Sequence, residues 1–373
     1  MNFDYNETQQ LLTESVLRFA AKSYDFEARK RIVNSTEGWS KDVWHTMADM
    51  GLMGIPFGAD YGGFGGGAVD AMNVMDAIGS ALIVEPYLPT VGLGAQFVAR
   101  AGSTAQRNAI LPGVVEGKIK MAFAHTEKHA RYDLAQVGVQ AKKSSGGWTL
   151  NGEKLVVIGA PIADMLVVSA RTSAGISLFL VERSAPGITT KSYRTVDEAR
   201  AGDVVLQNAQ VGTDAMLGTD GSALPLIEAV TDYAIALLCA EAVGAMKYAN
   251  DATLEYLKTR KQFGVTIGTF QALQHRMVDM IVSYEQAKSM ACLACTKVDN
   301  ATDAKDRARA VAAAKFRVAE ACRHISQEAI QLHGGMGMTE EMKVSHTFRR
   351  LTMIAQQFGD ADHHLARYGA LAK

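Results

Sequence analysis

Three stretches in the C-terminal part of the chain, residues 223–260, 270–298 and 303–335, keep a helical spacing of apolar residues almost without interruption. Each is far longer than the usual globular helix of about 11–12 residues. Long helices joined by short connections bury their apolar stripes against one another, so an antiparallel bundle is expected here. A last helix is expected over 360–372. Upstream the period changes. MLVVSAR, ISLFLVER and GDVVLQNA are short β-branched runs split by turn residues, and they mark a compact β-domain over 119–215. In WTLNGEKLVVIG, Asn151-Gly152 separates two such runs and predicts a tight hairpin, because both residues accept positive φ. Residues 1–118 are again helical in pattern, with Pro86, Pro89 and Pro112 expected to interrupt it. The expected class is α+β, mostly helical: an all-α domain 1–118, a β-domain 119–215 and a helical bundle 222–373.

Composition excludes several functions. Lys and Arg number 38 against 39 Asp and Glu, so a nucleic-acid partner, which needs a basic excess, is not expected. The chain is 48% hydrophobic, enough to fill sizeable cores and too much for a disordered chain. No stretch approaches the roughly 20 apolar residues of a membrane crossing. The opening MNFDYNETQQ lacks the basic and apolar parts of a secretory leader, so a cytoplasmic protein without membrane attachment is expected.

Several motifs read as structure. YGGFGGG (61–67) and HGGMGM (333–338) do not match a strand-following G-x-G-x-x-G, and no Walker A sequence is present. Cys292 and Cys295 form C-x-x-C inside an apolar helical run, where thiols pack as small hydrophobes. DADHH (360–364) gathers possible metal ligands, yet Asp360 fits a helix N-cap and the spacing matches no standard site, so no metal is expected.

Two segments are more specific: TRKQFGVTIGTFQALQHRMVDM (259–280) and QLHGGMGMTEE (331–341). R-K-Q-F-G, then F-Q-A, then Q-L-H-G-G-M-G-x-T downstream resembles the acyl-CoA dehydrogenase family over nearly the whole chain. RRLTMIAQQFGDADHHLARY and CAEAVGAM are most similar to the small subunits of pimeloyl-CoA dehydrogenase-type enzymes. The resemblance implies a helical domain, a β-domain and a C-terminal four-helix bundle, with FAD as cofactor. It implies that Arg260, Gln262 and Phe263 touch FAD, the arginine meeting the pyrophosphate as a planar charged fork suits. Phe270 and Gln271 fall in a further flavin-lining stretch. Gln331 with Gly334 and Gly335 would contact the adenosine half of the flavin held by a partner subunit, which implies an oligomer with shared sites. In the β-domain AFAHTEKHARYD stands in place of T-E-P-G-x-G-S-D. Thr126, Glu127 and Asp133 match. Lys128, His129, Arg131 and Tyr132 replace Pro, Gly, Gly and Ser, and Val156 and Ile158 replace the Trp and Thr that cover the flavin ring.

Family chemistry removes a proton beside a thioester while hydride leaves the next carbon, which needs a carboxylate in a dry pocket. Many relatives carry it as the Glu of Y-E-G-T, where this chain has Gln357-Phe358-Gly359-Asp360. Others place it at the start of the first bundle helix, here Ala234. Two carboxylates remain as candidates for the base. Glu241 lies about two turns beyond Ala234, among apolar neighbours. The competing reading of Glu241 is a buried ion pair with a basic residue of an adjacent helix. Asp360 is the second candidate, against its N-cap reading.

The expected function is FAD-dependent α,β-dehydrogenation of an acyl-CoA with a bulky or polar-ended acyl group. Electrons would pass to an electron-transfer flavoprotein, and the assembly would be a homotetramer or an α2β2 heterotetramer. The rivals are a non-catalytic chain that donates FAD contacts to a heteromeric dehydrogenase, and an oxygen-using flavoprotein on the same fold.

Overall fold

The computed structural model describes residues 7–372; the first six residues, on which the absence of a leader was partly read, lie outside them. Helices α1 (Glu7–Ser23), α2 (Phe26–Asn34), α3 (Lys41–Asp49), α4 (Ala68–Ala81), α5 (Ala95–Ala101) and α6 (Thr104–Val115) come first. Strands β1 (Met121–Ala124), β2 (Gln140–Ser144), β3 (Gly147–Ile158), β4 (Met165–Arg171), β5 (Ile176–Glu182), β6 (Ile188–Arg194), β7 (Arg200–Gly212) and β8 (Met216–Leu217) follow. Then come α7 (Leu224–Thr259), a small ribbon of β9 (Lys261–Gln262) and β10 (Val265–Thr266), α8 (Gln271–Asn300), α9 (Ala304–His333), α10 (Lys343–Gln356) and α11 (Ala361–Leu371). The expected helix–strand–helix order is therefore present.

The chain folds into two compact units. Of the described residues, one contains those up to 31, 68–83 and those from 235 on, the other 32–67 and 84–234. In the second unit the strands form an eight-stranded sheet in the order β6-β7-β3-β2-β4-β5-β8, with β1 parallel to β4. One face is sealed by Ala122, Ala124, Leu150, Leu166, Val168, Phe179, Val204 and Leu206, all almost fully buried. The Asn-Gly hairpin is corrected. β3 runs straight through Asn151 and Gly152, and the β2–β3 turn falls instead between Ser144 and Gly147. Gly152 has φ 140°, far from the roughly 60–90° of a primed turn, and the register against β7 shifts there. The Asn151 carboxamide accepts from the Asn208 N–H at 2.8 Å, so the pair makes a bulge. Pro112 does not break α6 either. It sits in the last turn of a helix whose start is fixed by a reciprocal Ser103–Gln106 capping box.

In the first unit α9 packs against α8, α10 and α11, and α4 packs on α1 and α8. Asp299, near the end of α8, caps α4 by accepting from the Ala68 and Val69 N–H groups at 2.8 and 3.0 Å. Helices α4 and α7 cross at backbone contact. A Cβ on Gly79 would stand 1.9 Å from the Glu241 carbonyl oxygen, and one on Gly244 would stand 1.8 Å from that of Asp76. Only glycine permits this approach, and it fixes where Glu241 lies. Gly244→Ala should push the helices apart and cost about 3 kcal/mol or more, at the upper end for overpacking; a denaturant midpoint within error of the parent would refute the crossing.

Candidate active site

The R-K-Q-F-G segment forms a sharp corner where α7 ends. The Arg260 N–H closes the last turn on the Tyr256 carbonyl, and the Ile267 N–H returns to the Arg260 carbonyl at 2.9 Å. Between them β9 and β10 pair Gln262 with Val265 around Phe263 and Gly264, whose φ values are 55° and 81°. Two left-handed central residues are what a tight primed hairpin requires, and a phenylalanine is an unfavourable choice there. Its ring is also 90% exposed, with Phe270 edge-on at 6.2 Å. Arg260 is exposed, and its guanidinium has no hydrogen-bond or ion-pair partner among the described residues. Gln262 turns back on its own strand, donating to the Lys261 carbonyl at 2.8 Å. Gln271 is exposed at the first position of α8.

Gln331, Gly334 and Gly335 stand exposed where α9 ends. Beneath them His333 is buried, donating from Nδ1 to the Ala329 carbonyl at 2.8 Å, and its ring stacks on Tyr256 at 4.5 Å. This stack ties the end of α9 to the last turn of α7, so the corners at 260 and 331–335 share one support. Neither Tyr256 nor His333 was singled out in the sequence, because nothing in a linear pattern pairs residues so far apart. Val278, Ile281 and Val282 form an exposed apolar stripe on α8.

In the β-containing unit, Thr126 is exposed just past β1 and accepts at its carbonyl from the Leu155 N–H. The Glu127 carboxylate accepts from the Gly138 and Val139 N–H groups and from the wholly buried Lys154 ammonium at 2.7 Å. Burial, the largest single effect, opposes the Glu127 charge, but the Lys154 hydrogen bond and charge together with the Val139 and Gly138 N–H groups hold the carboxyl below its ordinary range. Burial draws Lys154 down to about 8 despite that partner. Arg131 has φ 46° where the family pattern has glycine. Val156 has φ 51° and is 48% exposed at a bulge in β3. A β-branched residue in that region is strained.

The two candidate bases are both occupied. Glu241 is 4% exposed and is gripped by Arg350 of α10, with Nε and Nη2 donating to its two oxygens at 2.6 and 2.8 Å. This is the ion pair set against catalysis in the sequence reading, and the bidentate guanidinium engages both oxygens. Asp360 accepts the His363 N–H at 2.8 Å as the N-cap of α11. Ala234 is fully buried and Phe358 is half-buried. Burial raises the Cys292 and Cys295 thiols, and Cys295 points at the Ala236 carbonyl, so the pair sits in the bundle as packing.

Sequence reasoning did not mark Asp76. It lines a small pocket with Met72, Ala240, Val243, Lys288, Ala291 and Cys292, and burial raises its carboxyl to about 6.

Three family models match in chain order: the acyl-CoA dehydrogenase N-terminal domain over residues 6–118, the middle domain over 122–209 and the C-terminal domain over 226–367. A probable acyl-CoA dehydrogenase, YngJ, of Bacillus subtilis is 31% identical, covering 98% of each chain. The solved structure of PigA with FAD and proline superposes with a TM-score of 0.91 at 27% identity, over 99% of this chain and 98% of that one. The ChsE4–ChsE5 complex of Mycobacterium tuberculosis gives 0.91 at 25% identity, over 100% and 99%.

Removing one member of the buried pair strands the other. Glu241→Leu and Arg350→Met should each cost about 3–5 kcal/mol, and the two together should recover most of that loss. Additive losses in the double-mutant cycle would refute the coupling. Asp76 gives a pH signature of known sign. Its folded value lies above its unfolded one, so the stability due to its proton is complete below about pH 4 and is lost as pH rises through about 6. Asp76→Asn should therefore stabilise the chain by up to about 3 kcal/mol at pH 7.5 and by about half that at pH 5. A gain independent of pH would rule this out.

Proposed function

The chain belongs to the acyl-CoA dehydrogenase family of FAD-dependent oxidoreductases, and on that premise we propose that it is the flavin-contacting, base-lacking chain of a heteromeric acyl-CoA dehydrogenase. The observation that carries this is the absence of a free carboxylate at any position considered for the base. Ala234 and Phe358 carry none, Glu241 is locked on Arg350, and Asp360 is spent on a helix cap.

The corner at 260 suits the cofactor's phosphates. Arg260 offers a planar fork of donors with no competing anion, and exposed amides stand at Gln271 and Gln331. Gly334 and Gly335 leave open space in which a nucleotide can approach the backbone. Thr126 remains exposed in the β-domain, but the loop after it carries Lys128 in place of proline and His129 and Arg131 in place of glycines, all three exposed. The residues therefore fit the outer, phosphate and adenosine side of FAD better than its ring. In this reading Arg260, Gln262, Phe263, Phe270 and Gln271 meet a flavin presented by the partner. Gln331, Gly334 and Gly335 flank its adenosine end. Bound FAD supplies the hydride acceptor for α,β-dehydrogenation. The partner supplies the carboxylate that takes the α-proton. The apolar stripe of Val278, Ile281 and Val282 supports a same-fold partner, since it leaves apolar surface uncovered on α8. The occurrence of a two-protein complex among the similar structures supports it too. The assembly would act on a bulky or polar-ended acyl-CoA and reduce an electron-transfer flavoprotein.

The test is flavin content. Purified alone, the chain should be colourless and inert to acyl-CoA. Co-purified with its same-fold partner it should be yellow and bleach on adding acyl-CoA, and Arg260→Ala should strip flavin from the pair by at least tenfold. A chain that is yellow by itself and bleaches with acyl-CoA would overturn the proposal in favour of a self-sufficient dehydrogenase. Rapid oxygen uptake by the reduced pair would favour the oxygen-using reading instead.

A further inference from the structure

One opening in the helical unit gathers groups that the site described above does not use. A pocket of about 330 Å³, open to solvent, lies among α4, α7 and α8, and its wall is apolar except for Asp76, Lys288 and Cys292. Cys292 packs in the bundle with the other thiols but differs from them. Cys239, Cys295 and Cys322 are fully buried, whereas Cys292 is part-exposed at the pocket. Lys288 stands one turn before it on α8 and Thr296 one turn after, so the three share a helix face. Burial raises the Cys292 thiol, but the Thr296 side chain and the Lys288 charge work against that rise; the buried Cys239 and Cys322 are pushed up to about 12. Cys292 is therefore the readiest of these thiols to reach the nucleophilic thiolate form.

The carboxyl and the ammonium on the same wall are the second observation. Neither Asp76 nor Lys288 makes a hydrogen bond or an ion pair among the described residues, although the Lys288 charge acts on both Asp76 and Cys292. A pair serving packing alone would close, as Glu241 and Arg350 do. Asp76 and Lys288 instead stay apart around an opening that also holds a sulfur. A nucleophile, a carboxyl that can take its proton and an amine one turn away are the parts of a two-step acyl transfer.

We propose that Cys292 and Lys288 form a self-acylation site for acyl-CoA thioesters, the reactants of this family, in which Cys292 takes the acyl group and passes it to Lys288. In the first step the Cys292 sulfur bonds to the thioester carbonyl carbon as that carbon's bond to the CoA sulfur breaks. Asp76 takes the thiol proton and returns it to the departing CoA thiolate. In the second step the Lys288 nitrogen bonds to the same carbon as the Cys292–acyl bond breaks, leaving an amide. Of the two protons the ammonium loses, one restores the Cys292 thiol and the other goes to water. The spacing of one helical turn makes the second step intramolecular. The proposal is independent of which chain supplies the base for dehydrogenation.

The experiment incubates the full-length chain with acetyl-CoA at pH 8 and follows each lysine and cysteine by peptide mass spectrometry. Lys288 should be acetylated about tenfold faster, or more, than the exposed Lys258 of α7. Cys292→Ser should bring Lys288 down to the rate of Lys258 and leave Lys258 unchanged. Lys288→Arg should instead accumulate a thioester on Cys292 that hydroxylamine removes. Asp76→Asn, which keeps the shape but takes no proton, should slow formation of that thioester about tenfold. Direct attack by the amine would give the same Lys288 rate with or without the thiol, and that result would overturn the proposal. So would a parent chain in which Lys288 is no faster than Lys258, or a Lys288→Arg chain without thioester. An unslowed Asp76→Asn chain would overturn the assignment of the carboxyl. Should Cys292→Ser not fold, Cys292→Ala and the Lys288→Arg thioester still decide the matter.

Discussion

A guanidinium fork on a buried carboxylate determines what the long helix α7 can contribute. Glu241 lies where α4 and α7 touch backbone to backbone, a crossing that exists because Gly79 and Gly244 have no side chains. An unpaired charge buried there would be costly. Arg350 offsets that cost by holding both oxygens. The pair binds α7 to α10, and α10 in turn leads into the corner at Phe358. Packing thus constrains chemistry: the tighter the crossing, the more completely the carboxylate must be satisfied, and the less it can serve as a base.

The same logic recurs wherever this chain buries a cation. Lys154 is satisfied by Glu127, the Ser169 hydroxyl and the His125 carbonyl, Lys315 by three carbonyls, and Arg29 by the Leu82 carbonyl and the His346 ring. Each ties together segments distant in sequence. None is left with an open donor facing a ligand, in contrast with Arg260, which is exposed and unopposed. The buried cations Lys154, Lys315 and Arg29 thus organise the fold around them.

This division explains what was legible in the sequence. Long helices announce themselves because apolar residues recur at 3.6-residue spacing over many turns, and Asp360 is recognisable as a cap because capping is local. The Asn-Gly signal misled because Gly152 takes φ 140° at a bulge against β7, a strand fifty residues away that decides the register. Pro112 misled because in the last turn it removes a single bond, to the Asn108 carbonyl, from a helix whose start is already fixed by its capping box. The role of Glu241 was undecidable, since its partner lies 109 residues away and several basic residues were equally eligible by sequence. Asp76 escaped notice because an isolated aspartate in a helix has no signature until the pocket around it is formed.

Backbone strain separates architecture from function only when read together with exposure. Leu82 and Phe263 have nearly the same left-handed φ, 59° and 55°. Leu82 is buried, and its carbonyl is held by Arg29, so its conformation is accounted for by the fold around it. Phe263 is 90% exposed, and its ring meets the edge of Phe270 at 6.2 Å. No burial comparable to that of Leu82 holds this residue among the described residues. Val156 stands in the same relation to its bulge, strained and half-exposed. Left-handed backbone at a non-glycine residue is thus explained by the fold where the residue is buried, as at Leu82, and stands without that explanation where it is exposed, as at Phe263 and Val156.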